Sequence, residues 1–181
     1  MTRTFVAVDL PEEFHEKISS IQSKLMGSGL RAVDPPLVHI TLKFLGEVNE
    51  TQIAQITQNL DKLKCKSFIS NISGVGAFPS MKNPRIVWLG ADGDFSYLHR
   101  QVEVLLSDLG FKKEPRKFIP HATLARITHL SGSRKKELIT ALESLKDFEV
   151  GKMTVDTIKF KKSTLTPHGP IYETLHEVKL L

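Results

Sequence analysis

The stretch VHITLKFLG, residues 38–46, decides how this chain reads, because PHATLARI at 120–127 repeats its centre. Each contains His-x-Thr-Leu: His39, Thr41 and Leu42, then His121, Thr123 and Leu124, with the histidines 82 positions apart. A chain of 181 residues with seven histidines should contain only about 0.06 such tetrapeptides by chance. On a strand, residues two apart share a face. Each histidine therefore points the way its threonine does, and each leucine points the other way, into a core. A strand histidine is often no more than a packed residue. A purely structural position, however, favours valine or isoleucine, because burying His and Thr without partners costs free energy. Both copies keep the polar pair.

Working outward, the similarity extends beyond the tetrapeptide. Phe14, Ile18, Ile21 and Leu25 form an apolar stripe at helical spacing. Adding 81 gives Phe95, Val102 and Leu106, with only His99 breaking the stripe. TFVAV at 4–8 maps onto RIVWL at 85–89 by the same offset. Ile56, Leu60 and Leu63 map by 82 onto Leu138, Leu142 and Leu145. The chain reads as a duplicated β-α-β-α-β unit. Its expected elements are 4–9, 11–27, 37–45, 50–64 and 67–77, then 85–90, 95–109, 118–127, 133–146 and 148–162, with a last strand at 172–180. DPP at 34–36 and Pro120 favour extended chain before each motif. The expected fold is α+β: two pseudo-twofold-related lobes with antiparallel-rich sheets and a central cleft. It is read as a single bilobal domain over 1–181, with repeats of about 4–80 and 85–162 and a C-terminal strand at 171–180.

The composition, 40% hydrophobic and 25% charged, is that of a globular protein with a sizeable core. No apolar run is long enough for a transmembrane helix, and an acidic helix start stands where a signal peptide would be apolar. A single cysteine, Cys65, allows no internal disulfide and no cysteine-based zinc site, which points to the cytoplasm. The net charge of +5 biases the chain mildly towards polyanions. KKEPRK at 112–117 and KFKK at 159–162 concentrate it.

Two imidazoles flanking one group suit paired general acid–base work near neutral pH. Two threonine hydroxyls can donate to the oxygens of a tetrahedral anion. Together they fit in-line displacement at a phosphodiester, for which no metal is required. A zinc site built on His39, His121 and a third histidine is the sharpest rival, but no H-E-x-x-H spacing occurs and threonine is a poor zinc ligand. No G-x-S-x-G and no Walker-type glycine loop occurs. Lys43 shares strand parity with His39 and Thr41, so it is a candidate phosphate contact. Arg126 has the opposite parity to His121, so a regular strand would leave it a surface arginine, and a bulge or the strand end would bring it back to the cleft as a substrate contact. Phe78 and Phe118 are candidates for stacking on a base. His15, His99, His129, His168 and His176 have no repeat partner and are left out.

Paired His-x-Thr motifs about 80 residues apart in a duplicated chain of this size resemble the 2H phosphoesterases, and more closely their RNA 2′,3′-cyclic phosphodiesterase (2′-5′ RNA ligase, LigT-like) branch. FVAVDLP, HITLKFLGEV, GVGAFPS with PRIVWLG, HATLARI and PIYETLHEVKL carry the resemblance in order over nearly the whole chain. It implies a V-shaped cleft with the motifs at its floor, and hydrolysis of an RNA 2′,3′-cyclic phosphate to a 2′-phosphate without a cofactor or metal. It implies His39 as proton donor, His121 as proton acceptor, and Thr41 and Thr123 as phosphate contacts. The motifs themselves do not distinguish this from the reverse assignment. The same site run backwards would join RNA ends through a 2′-5′ linkage. A monomer acting on RNA ends is the expectation. The alternatives are a protein that binds RNA ends or nucleotides without turnover, and a cyclic phosphodiesterase for a small nucleotide.

Overall fold

The computed structural model describes residues 1–181. Nine strands form one continuous sheet in which every recorded pairing is antiparallel. They are β1 (Thr2–Asp9), β2 (Leu30–Ala32), β3 (His39–Val48), β4 (Phe68–Ser80), β5 (Asn83–Ala91), β6 (His121–Ile127), β7 (Glu149–Val155), β8 (Thr157–Thr166) and β9 (Gly169–Lys179). The helices are α1 (His15–Leu25), α2 (Glu50–Leu60), α3 (Phe95–Ser107) and α4 (Gly132–Leu145). The sheet order is β7-β4-β5-β6-β3-β1-β8-β9, with β2 also on β6.

The expected α+β architecture is present, with two differences of detail. The span 148–162 is two strands. Up to Val155 it pairs with β4, and from Thr157 it pairs with β1. The chain changes neighbours at Asp156, so one regular strand could not serve both. The sheet also divides into two halves, β7-β4-β5-β6 and β3-β1-β8-β9, joined at the single pair Ile40 and Ala122. Each half mixes elements from early and late in the chain. Helix α1 packs with α4 and against β6, while α3 packs with α2 and against β3.

The apolar stripes explain this packing. Ile18, Ile21 and Leu25, Ile56 and Leu60, Val102 and Leu106, and Leu138 and Leu142 are all fully buried in one contiguous core. Each such side chain contributes about 1.5–3 kcal/mol relative to exposure. Helix α2 starts on a capping box: Gln52 N donates to Asn49 Oδ1 at 2.9 Å, and Asn49 N donates to Gln52 Oε1 at 3.0 Å.

The short strand β2 carries no alternation, and the sequence gives no signal for it. It is held from three sides. Buried Gln22 donates through Nε2 to Val33 O at 2.6 Å and to Leu124 O at 2.9 Å. Thr128 N donates to Gly29 O at 2.9 Å. Gly29 itself has φ +85°, and a Cβ there would fall 1.6 Å from His129 O, so only glycine fits. No helix is long and apolar enough to cross a membrane.

Candidate active site

The two motif strands meet at the seam of the sheet. Ile40 faces Ala122 across antiparallel β3 and β6, and both are buried. His39, Thr41, His121 and Thr123 project from the opposite, half-buried side. The register sets His39 beside Thr123 and Thr41 beside His121. His39 and His121 are then diagonal neighbours, about 7–8 Å apart between strands, which leaves room for one tetrahedral anion between the imidazoles.

Both rings are fixed by the same device. His39 Nδ1 lies 2.7 Å from Leu37 O, and His121 Nδ1 lies 2.6 Å from Ile119 O. A carbonyl only accepts, so each Nδ1 carries the hydrogen and Nε2 is left as the working nitrogen. Neutral, that nitrogen is a base; protonated, it is an acid.

Beyond each motif the strand bulges at the same place. On β3, Thr41 pairs with Ala7 but Lys43 pairs with Val6, leaving Leu42 as the extra residue. On β6, Thr123 pairs with Trp88 and Ala125 with Val87, leaving Leu124 extra. The bulge reverses parity, and this corrects the reading of Lys43. Its side chain turns to the helix side and is only 5% exposed. There it donates to Glu103 Oε1 at 2.6 Å and to Lys112 O at 2.8 Å. It therefore does not reach a phosphate in the cleft. The same reversal carries Arg126, exposed, onto the face of His121 and Thr123. Phe118 is also engaged away from the cleft: its ring stacks on His99 at 4.1 Å and 6°. Phe78 stands at the site, edge-on to His121 at 4.9 Å.

Sequence reading misses several neighbours. Phe44 occupies on β3 the place of Arg126 on β6 and is 68% exposed. Its signal is the bulge, which the sequence does not announce. Phe5 stacks on His39 at 4.9 Å, and Tyr172, from distant β9, meets His39 edge-on at 5.3 Å. Trp88 lies 5.3 Å from Phe78 and 6.4 Å from His121. Gly76 admits its indole, since a Cβ there would stand 2.3 Å from the ring.

The electrostatic settings of the two histidines differ. Asp9, the cross-strand neighbour of His39, holds Lys161 and, at 3.1 Å, Lys159. Burial would raise the Asp9 pKa, but these two ammoniums outweigh it and hold the carboxyl below the usual range. Burial pushes the His39 pKa down, and the charge of Lys161 adds to this; the bond to Leu37 and the charge of Asp9 oppose it without cancelling it. Burial likewise raises the Tyr172 pKa, against the charges of Arg126 and Arg3. No group of three or more His, Cys, Asp or Glu side chains comes together in a metal-ligating arrangement.

A pH dependence follows. A site that works with one imidazole protonated and one neutral fails when both are protonated. The acid limb of kcat/KM should therefore fall through the lower of the two pKa values. Because the His39 pKa lies below its ordinary 6.5, that limb should fall below pH 6.5. A limb centred at or above 6.5, measured with a substrate that does not titrate in this range, would contradict the desolvated setting of His39.

The profile of a family described as LigT like Phosphoesterase matches the chain twice, over residues 8–88 and 91–172. A Methanocaldococcus jannaschii protein named RNA 2′,3′-cyclic phosphodiesterase is 38% identical over 176 residues, 97% of this chain and 99% of its own. An Aeropyrum pernix protein of the same name is 41% identical over 157 residues, covering 84% and 88%. Among solved structures, a Thermus thermophilus protein superposes with a TM-score of 0.80 at 26% identity, covering 98% of this chain and 97% of that one. Escherichia coli LigT complexed with 3′-AMP gives 0.81 at 23% identity, over 99% and 98%, a likeness of fold.

Proposed function

Because the chain belongs to the LigT-like phosphoesterase family, we propose that it hydrolyses RNA 2′,3′-cyclic phosphate ends to 2′-phosphomonoesters by paired-histidine catalysis. The observation that carries this reading is the pair of imidazoles on adjacent antiparallel strands, each with Nδ1 committed to the carbonyl two residues before it. His121 Nε2 takes a proton from water as its oxygen attacks phosphorus. The P–O3′ bond breaks, and His39 Nε2 gives its proton to O3′. The 2′-phosphate remains on the ribose. Thr41, Thr123 and Arg126 hold the non-bridging oxygens, where charge grows in the transition state. The exposed ring of Phe44 offers the terminal base a stacking surface.

Burial of His39 disfavours its charged form, but an anionic phosphate beside it favours that form. Substrate thus prepares the acid it needs. The leaving oxygen is protonated and the anion is hydrogen-bonded, so the step calls for no metal. A 5′-hydroxyl in place of water would give a 2′-5′ linkage by the same proton transfers. Both motif strands come from one chain, which fits a monomer, and a lone buried Cys65 fits a reducing cytoplasm.

The test is turnover of a nucleoside 2′,3′-cyclic phosphate with and without EDTA, with the product identified by phosphorus NMR. The expected product is the 2′-phosphate alone, at an unchanged rate in EDTA. A 3′-phosphate product would reverse the bond assignment. Loss of turnover on chelation, restored by added metal, would defeat the metal-free step.

A further inference from the structure

We propose that Arg31, standing beside Arg126, forms a second phosphate subsite that takes the phosphate on the 5′ side of the cyclic-phosphate nucleotide. The inference rests on reading the cleft as a cyclic phosphodiesterase site, and adds that its preferred substrate carries a phosphate at the 5′ position of the terminal ribose.

Strand β2 is the starting point. It has only three residues, yet Gln22 spends both its recorded amide bonds fixing the backbone around it and around the β6 bulge. Gly29 and Thr128 fix its other end. The one polar side chain this framing presents to solvent is Arg31. Leu30 packs on the core, and Ala32, also exposed, offers only a methyl group. Arg31 is the direct cross-strand partner of Arg126, so the two guanidinium groups rise from one face. Both are exposed.

Like charges directly opposite on a sheet repel. A surface chosen for stability alone would place a carboxylate at one of the two positions or beside them. Neither arginine makes an ion pair, and neither does Arg3, the third cation near this wall. Arg3 and Arg126 come from different halves of the sheet, and both act on the Tyr172 hydroxyl, whose ring touches His39. The uncompensated charge therefore lies on the wall of the site rather than on a remote surface. Cross-strand neighbours stand about 5 Å apart, a step comparable to that between successive phosphates of a nucleotide chain. With Arg126 on the reacting phosphate, Arg31 meets the next one. Arginine suits this role because its planar fork matches phosphate oxygens in pairs.

The shared chemistry is a phosphate on O5′. It belongs either to an RNA chain or to a 5′-phosphorylated mononucleotide, and three substrates separate these sources: uridine 2′,3′-cyclic phosphate, the same nucleotide with a 5′-phosphate, and an oligoribonucleotide with the same 3′ end. For the natural protein, kcat/KM should rise about tenfold from the first to each of the other two, the worth of one charge-assisted contact. Arg31→Ala should abolish that rise and leave the first substrate unchanged; Arg31→Lys should keep part of it. A rise confined to the oligonucleotide and lost in Arg31→Ala would assign the site to RNA chains; a rise for both would assign it to the phosphate itself. Equal losses on all three substrates, or ratios unchanged by the substitution, would overturn the proposal. If the natural protein turns over none of the three, the functional reading fails, and binding still decides on Arg31. Anisotropy with a fluorescent oligoribonucleotide should show the salt slope of log K reduced by about 0.7 in Arg31→Ala. An unchanged slope would remove Arg31 from the interface.

Discussion

Replacing either motif histidine by alanine should lower turnover of a cyclic-phosphate substrate by about 10²–10⁴-fold, the usual worth of one positioned acid or base. The two losses should not add. Proton donation and proton removal belong to one concerted displacement, and groups that act as a unit show strongly non-additive effects. The double variant should therefore fall little below the worse single one. Neither substitution should unfold the protein, because both residues are only half-buried and each Nδ1 bonds a single backbone carbonyl just before its strand, which can turn to water. KM should change far less than kcat, since the threonines and Arg126 still hold the ground state. A variant that keeps full kcat would exclude its histidine from proton transfer. His39→Gln and His121→Gln sharpen the test. They preserve a hydrogen-bonding group in the site, so activity retained in Gln but lost in Ala would indicate binding rather than proton transfer.

The second large effect concerns stability. Glu103→Ala should cost about 3–5 kcal/mol, because it leaves the Lys43 ammonium buried without its counter-charge. For a chain of this size, each kcal/mol moves Tm by about 2–4 °C, so a fall on the order of 10 °C is expected. The cause is the burial of both partners, with side chains 5% and 6% exposed. Removing both charges should be far milder. Lys43→Met with Glu103→Leu fills similar volume without a buried ion, and such exchanges are often neutral or stabilising by about 1–4 kcal/mol. The double variant should nevertheless lose activity. Lys43 also donates to Lys112 O, at the start of the segment that ends at Ile119 and His121. Without that tie, the carbonyl that orients His121 is less well held. A Glu103→Ala protein that melts like the natural one would show that the pair is solvated. A double variant that is both stable and fully active would show that the tie to Lys112 has no bearing on the site.

The fold is legible because its signals are periodic. The helical stripes around Ile21 and Leu142, and the offset of 81 or 82 between their counterparts, need nothing but spacing. The polar half of the site is legible for the same reason, since parity along a strand ties His39 to Thr41 and His121 to Thr123. Parity fails one residue after each motif leucine. A bulge inserts a residue without a sequence mark, so parity puts Lys43 in the cleft and overlooks Phe44. Arg126 comes onto the cleft face only through the same bulge. Tyr172 and Phe5 are invisible for another reason. Phe5 reaches His39 through the pairing of β1 with β3, and Tyr172 through β9 on β8 and β8 on β1, contacts between residues far apart in the chain. Phe118 looks available because it is aromatic and near a motif, but the flat stacking on His99 that engages it depends on where α3 packs. The division at Asp156 is hidden because both neighbours accept a similar alternating strand.

The arrangement of the half-sheets makes the surroundings of His39 depend on strands distant in the chain. β3 and β1 are among the first strands made, yet their edge is completed only by β8 and β9, with Thr4 joined to Lys162 and Phe5 to Lys161. Loop closure over such separations is costly and slow. His39 therefore has neither Tyr172 nor Lys161 around it until the β8–β9 hairpin has docked. A nascent chain, or one truncated before β9, would hold both His-x-Thr motifs and still lack the finished wall of the site. The wall around His39 thus depends on the β8–β9 hairpin docking against β1.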